Sequence, residues 1–415
     1  MPTYDVAVVG GGAVGVSTAY ELASVGAKVI LLEQGLVGMG CSYGNAGLVV
    51  PSFCLPLATP RALAQGARWL LGGDGPFTLR PRLDRALWVW LLRFTLACRP
   101  HKVKAAIRAL HSLAGASLER YREFADTLAP FGFKSRGWLH VFLSEDHLLE
   151  ATKEAGQLRA AGVEWQALDG VRARELCPAI TADVVGGIYF PAEAHLQPFA
   201  FVNGLAAQAR ELGLELREHS PVLGLTIAGR RVKEVRLEGE TLHIGFCVIA
   251  AGAESAGFMR RLAIALPIEP AKGNSLTWNQ ASAASDVPLM LGELHVIVTP
   301  IAAVVRMTTG LDLAGFNSRP DLKRLELIRR AAARYLPGLV VDGEPEAWFG
   351  YRPLTPDSLP IIGPIKDLPN LILATGHGQL GITLAPITGK LVSELIRGIR
   401  PSVDPTPFLP TRFGL

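Results

Sequence analysis

Residues 6–33 read VAVVGGGAVGVSTAYELASVGAKVILLE. Val6–Val9 is a continuous apolar run, as a strand buried on both faces requires. A glycine-rich turn follows, then a helical pattern over Ala13–Val25 that Gly26 can close in the left-handed conformation. Lys28–Glu33 is a second apolar strand. Strand, helix and strand in about 30 residues make a right-handed parallel crossover, which predicts a doubly wound α/β sheet.

The turn itself carries chemistry. Gly10, Gly12 and Gly15 fit G-x-G-x-x-G in register. The first permits the tight turn, the second lets the backbone approach a pyrophosphate, and the third lets helix pack on strand. Ala13 and Val14 open the helix, whose N-terminal N–H groups and dipole favour negative charge. Glu33 lies 18 residues after Gly15 and precedes Gln34. From the end of the second strand its carboxylate can accept ribose hydroxyls and would repel a 2′-phosphate. The turn alone does not separate NAD from FAD.

Two further segments narrow the choice. CSYGNAG places Cys41, Ser42, Asn45, Ala46 and Gly47 on a small-residue loop after the second strand. Such a loop can follow a ribityl chain, offering hydroxyl and amide groups without bulk. At the far end, ATGHGQLGIT holds Gly376, His377, Gly378, Gln379, Gly381, Ile382 and Thr383 between a strand and a helix. That helix N-terminus can stabilise negative charge at the edge of a reduced isoalloxazine.

These segments, in this order, resemble the D-amino acid oxidase family of FAD enzymes, which includes glycine and sarcosine oxidases and D-amino-acid dehydrogenases. The resemblance extends to GGIYFPAEAHLQPFAFVNGLAAQARELG, to CVIAAGAES, which brings Ala250, Ala251 and Gly252 near the phosphates, and to GYRPLTPDSLPIIGP. SYGNAG and the long helical stretch after it are most similar to the bacterial D-amino-acid dehydrogenases, including those acting on D-proline-type substrates. Val222 joins the cofactor-binding set. The chain departs from the family in having Gln197 before Pro198. It also has no obvious cysteine at the usual covalent flavin site. Cys247 sits on a buried strand pattern, so FAD is expected to be non-covalent.

The resemblance implies Arg352 of GYRP as the partner of a substrate carboxylate, a role that suits a guanidinium fork. Tyr351 and His377 are candidate pocket residues. His295, Arg306 and Trp278 sit on expected substrate-domain strands, and Arg306 on an apolar strand needs a partner. The implied reaction passes a hydride from Cα to flavin N5, with the protein positioning the substrate. Electrons would go to a quinone or another carrier. Two alternatives stay open: an oxygen-using glycine or sarcosine oxidase-like enzyme, and a flavin-binding subunit of a larger complex.

The expected architecture is a discontinuous Rossmann-like FAD-binding domain (1–58, 193–255 and 345–415). An α+β substrate domain with a mixed or antiparallel sheet is inserted (59–192 and 256–344, helical over 61–127). HVIVTPI and AVVRMTTG are expected to form a hairpin turning near Ala302.

Charge and cysteines bound the partners. A net charge of +4 without a basic aromatic stripe argues against nucleic acid. Five scattered cysteines, never in CxxC spacing, argue against a zinc site or a disulfide framework. With no signal-like N-terminus, a cytoplasmic protein is expected, with a place at the inner face of the cell membrane as the variant. ALWVWLLRFTLAC, Ala86–Cys98, is too short to span a bilayer and has basic flanks. It reads either as a buried helix or as an interfacial helix on an anionic membrane.

Overall fold

The computed structural model describes residues 3–63, 77–80, 82–279, 285–301, 304–341 and 343–415. The opening unit forms as the sequence predicts. Tyr4–Val9, the helix Ala13–Ala23 and Val29–Leu32 make the crossover, with Gly26 at φ 81° just beyond the helix. The two strands pair in parallel, Val6 opposite Val29 and Val9 opposite Leu32.

Parallel strands extend the sheet on both sides. Glu215–Arg217 pairs with Val29–Leu32, and Thr241–Ile249 pairs with Tyr4–Val9. Leu368–Thr375 then pairs in parallel with Thr241–Ile249. Strands from the beginning, middle and end of the chain therefore share one sheet, as a discontinuous domain requires. Alternation sorts the apolar residues. Val6, Val8 and Leu31 face a core built with the helices Ala13–Ala23, Pro198–Glu211 and Gly381–Arg397. Ala7, Val9, Ile30 and Leu32 face a second core, covered by the hairpin Gly224–Ala228 and Arg231–Arg236.

The helices Ala13–Ala23 and Gly381–Arg397 meet at backbone distance. A Cβ on Gly389 would lie 2.5 Å from the Ser17 carbonyl. This contact joins the first and last nucleotide-binding segments. The long helix Pro100–Thr127 packs on the same core, where the Tyr121 hydroxyl donates to Ile382 O at 2.6 Å.

The second sheet has nine strands among the described residues and is mixed. Its outermost strand is Glu346–Leu354, followed by Glu269–Asn279, Val304–Leu313 and Val296–Ile301. The last two pair antiparallel as expected, Ile301 opposite Val304, and the turn expected near Ala302 lies outside the described residues. The expectation of helix throughout 61–127 needs correction: Phe77–Leu79 is a strand pairing with Leu311–Leu313, and 64–76 lies outside the described residues. The sequence pattern also hid Glu269–Asn279. Only Trp278 of this segment was expected on a strand; the strand runs back to Glu269, and both of its edges are paired.

Candidate functional site: a dinucleotide cleft

A cavity of about 770 Å3 runs along the carboxyl ends of the parallel strands, where open α/β sheets bind ligands. Gly10, Gly12, Ala13 and Val14 line it from the first turn. Gly10 has φ 110°, and a Cβ there would fall 2.6 Å from Ala250 O. A Cβ on Gly15 would fall 1.8 Å from Gly10 O, so Gly15 serves the strand–helix packing and does not line the cleft. At Gly12 a Cβ would meet only Ser42 Oγ, at 3.5 Å, leaving backbone open to the cavity.

Glu33 and Gln34 form the next part of the wall. The Glu33 carboxylate accepts Gly11 N at 2.6 Å and Gly35 N at 2.8 Å. It fixes the glycine turn while still facing the cleft. Gln34 donates to Glu254 at 2.7 Å, beside the Ala250, Ala251 and Gly252 wall. Val222 lines the same end, its segment anchored by Ser220 N to Glu33 O at 2.8 Å.

Cys41, Ser42 and Asn45 line the cleft from the second loop. Ser42 Oγ accepts Ala13 N at 3.1 Å and so ties this loop to the helix N-terminus. Asn45 Oδ1 accepts Gly47 N at 2.8 Å. Ala46 and Gly47 stand behind it, Ala46 against the core and Gly47 under Leu196 O. At the far end His377, Gly378, Gly381 and Ile382 reach the cavity, whereas Gly376, Gln379 and Thr383 do not line it. Thr383 Oγ1 donates to Leu48 O at 2.9 Å.

The outer strand of the second sheet closes the cleft. Its register sets Ala271 opposite Arg352, Gly273 opposite Gly350 and Ser275 opposite Trp348. Arg352, Gly350 and Trp348 therefore share one face, and Tyr351 and Phe349 share the other. The Arg352 guanidinium crosses Gly273, where a Cβ would lie 2.1 Å from Nη1, and donates to Gly310 O at 2.5 Å. No carboxylate lies within ion-pair distance of it among the described residues. Burial pulls its pKa below the ordinary arginine value, with Cys41 and Asp312 opposing. Trp348 lies over Gly44 of the second loop, and the sequence reading missed it. The two-residue step back from Arg352 through Gly350 was the signal.

Tyr351 and His377 also line the cleft, but their polar atoms are engaged elsewhere. The Tyr351 hydroxyl points away from the Arg352 face and exchanges hydrogen bonds with the backbone N–H and C=O of Asn317. The His377 ring is buried with Nε2 3.0 Å from Thr388 Oγ1, and burial pulls its pKa down to about 3. Arg306 finds the partner its strand demanded. Nη1 donates to Tyr43 O at 2.7 Å and Asn45 O at 3.0 Å, and Nε donates to Thr277 Oγ1 at 3.0 Å. It thus fastens the substrate sheet to the second loop. Trp278 is core, and His295 holds a turn at φ 48°.

Residues 5–395 match the family model described as FAD dependent oxidoreductase. The chain belongs to that family. Among similar proteins, a D-amino acid dehydrogenase of Methylobacterium radiotolerans is 33% identical, covering 96% of this chain and 97% of its own. One of Rhizobium johnstonii is 30% identical, covering 99% and 100%. Among solved structures, L-proline dehydrogenase from P. horikoshii superposes with TM-score 0.78 at 22% identity, covering 100% of this chain and 98% of that one. Glycine oxidase from Bacillus cereus gives TM-score 0.75 at 21% identity, covering 95% of each chain.

FAD is therefore the cofactor, and the cleft fits it. The glycine turn and a helix N-terminus whose own N-cap residue, Gly12, has no side chain suit the pyrophosphate, and Glu33 suits the ribose. The second loop offers Ser42 and Asn45 along the middle. All five cysteines are unpaired, and Cys54, Cys98, Cys177 and Cys247 are buried.

Proposed function

We propose that this flavoenzyme oxidises the Cα–N bond of a small D-amino acid, or of a cyclic imino acid of the D-proline type, and passes the electrons to a quinone-like carrier. One observation carries the reading: Arg352, a guanidinium without an ion-pair partner among the described residues, projects from the face that closes the cleft. A substrate α-carboxylate supplies the missing charge. Bound non-covalently, FAD supplies two-electron acceptance. The protein supplies orientation: Arg352 fixes the carboxylate, and Trp348 and Gly350 leave an apolar, backbone-lined wall beside it. The His377 ring, held neutral by burial and bonded to Thr388, is a positioning group for the turn before Gly381–Arg397. Tyr351 has the same kind of role for the loop at Asn317.

The helix Arg85–Ala97 supports a membrane-side acceptor. Leu87, Trp90 and Phe94 face inward, and Trp90 Nε1 donates to Leu354 O at 3.0 Å, at the end of the Arg352 strand. Its other side exposes Trp88 (54%) and Leu92 (62%), with Arg85 and Arg99 at its ends. No helix among the described residues is long and apolar enough to cross a membrane. The face suits interfacial contact with anionic lipid. Trp88→Ser with Leu92→Ser is expected to abolish co-sedimentation with anionic vesicles; wild-type protein that ignores such vesicles would remove this part of the reading.

The deciding experiment is the anaerobic visible spectrum with D- and L-alanine and D- and L-proline. Bleaching of the flavin band by a D-enantiomer is expected, with slow return of colour in air. Bleaching by L-enantiomers alone would overturn the chirality, and fast reoxidation in air would make the enzyme an oxidase.

A further inference from the structure

A second cavity, of about 540 Å3, lies on the other face of the substrate sheet. Lys272 is paired with Tyr351 on one side and Asp312 on the other, so its side chain points away from the Arg352 face. The cavity wall carries Arg80, Lys272 and Arg319, together with Asp312 and Asp321. The carboxylates are already engaged. Asp312 accepts Arg324 Nη2 at 2.5 Å and Nε at 3.2 Å, and the Thr78 hydroxyl at 2.5 Å. Asp321 caps the helix Leu322–Tyr335, accepting Lys323 N at 3.0 Å and Arg324 N at 3.4 Å.

The cations are not neutralised in this way. Among the described residues, none of Arg80, Lys272 and Arg319 has a carboxylate within ion-pair distance. Lys272 is only 2% exposed. Its ammonium donates to Asn317 Oδ1 and to Arg319 O, both neutral, and stands 4.3 Å from the Phe349 ring centroid. A buried ammonium without an ion-paired carboxylate is costly, and the exposed Arg80 and Arg319 on the same wall add like charge to it. The N-terminus of Leu322–Tyr335 opens on the same wall and adds its positive end.

We propose that this cavity binds a small multivalent oxyanion, at a site separate from the flavin cleft. Its charge would meet Lys272, Arg80 and Arg319 together. The shared chemistry is that of a phosphate or a short dicarboxylate. The site bears on the cleft through one loop: Asn317–Leu322 line the oxyanion cavity, and the adjacent Phe316 lines the flavin cleft. A bound anion would hold that loop from behind.

The test is thermal unfolding of the FAD-loaded protein with inorganic phosphate or succinate titrated against sodium chloride at constant ionic strength. A saturable rise in Tm is expected with one or both, and comparing the two identifies the preferred oxyanion. Arg80→Ser with Arg319→Ser, both at exposed positions, is expected to remove the rise, as is Lys272→Met. Arg352→Lys is expected to keep it, and the flavin spectrum of the wild type is expected not to change on titration. Absence of any saturable rise with either anion overturns the proposal. So does a rise that disappears in Arg352→Lys and perturbs the flavin spectrum, since the anion would then sit in the cleft.

Discussion

At the scale of single residues, the site depends on charges held out of water. Arg352→Ala is expected to cost about 2–5 kcal/mol in kcat/KM, the usual loss when one partner of a buried charged contact is truncated. Arg352→Lys should recover part of it. Steady-state kinetics on the amino acid that bleaches the flavin is the check; an unchanged KM would remove the carboxylate assignment. Glu193 sets a different dependence. It is buried, with Oε1 accepting Ser52 N at 2.9 Å, and burial pushes its pKa up to about 8. A raised carboxyl pKa means that the fold prefers the neutral acid. Its contribution is complete below the unfolded value near 4.5, is lost progressively as pH rises to about 8, and changes no further above that. Burial pulls His140 and His377 down to about 3 and His195 down to about 4. Their contribution is complete above about 6.5 and is lost as pH falls through the folded values. Stability should therefore fall on both sides of neutrality. Glu193→Gln should flatten the fall between about pH 6.5 and 8 and leave the histidine-driven acid limb steeper, as read by denaturant midpoints from pH 5 to 9.

At the scale of elements, the nucleotide-binding segments were legible because each carries its own punctuation. Gly10, Gly12 and Gly15 announce a turn, Glu33 the end of a strand, and Gly376–Gly381 a second turn before a helix. The substrate sheet was harder to read. Glu269–Asn279 is buried on both faces, so it lacks alternation, and Lys272 and Gly273 break its apolar run. Their reasons lie far away in sequence: Gly273 makes room for Arg352, and Lys272 belongs to the opposite cavity. Tyr351 and Arg352 were both candidate site residues, yet as neighbours on one strand they lie on opposite faces. Arg306 could be recognised as a buried cation, but its partners are backbone carbonyls, which no residue type reveals. Arg306→Met leaves Tyr43 O and Asn45 O without that donor. Each lost partner should cost about 1–3 kcal/mol, felt where the second loop meets FAD. FAD affinity, measured by recovery of flavin fluorescence on dilution, should weaken more than it does in Thr277→Val, which removes only the Nε partner.

At the scale of the whole molecule, two sheets meet around one cleft, and the chain passes between them several times. The meeting is closed by a few contacts: Arg306 to the second loop, Trp348 over Gly44, and Gly378 N to Pro353 O at 3.0 Å. The cleft is lined from both sides of this junction, so FAD bound there should stabilise them together. By mass action, FAD at 100 times its Kd should add about 2.7 kcal/mol, read as a rise in Tm shared by far-ultraviolet and tryptophan signals. Separate transitions in the loaded protein would show that the halves are uncoupled.

The strand that bears Arg352 is also the last strand of its sheet among the described residues, its second edge bridged at one end where Leu354 meets His377 and Gly378 N donates to Pro353 O. An unpaired strand edge is a template for another chain. Here FAD bound in the cleft would add to the cover that the neighbouring loops give. Flavin loss should therefore turn an enzymatic surface into an adhesive one, and stored protein should cloud in proportion to its colourless fraction. Light scattering at matched concentrations, with and without added FAD, would register that change before activity is ever assayed.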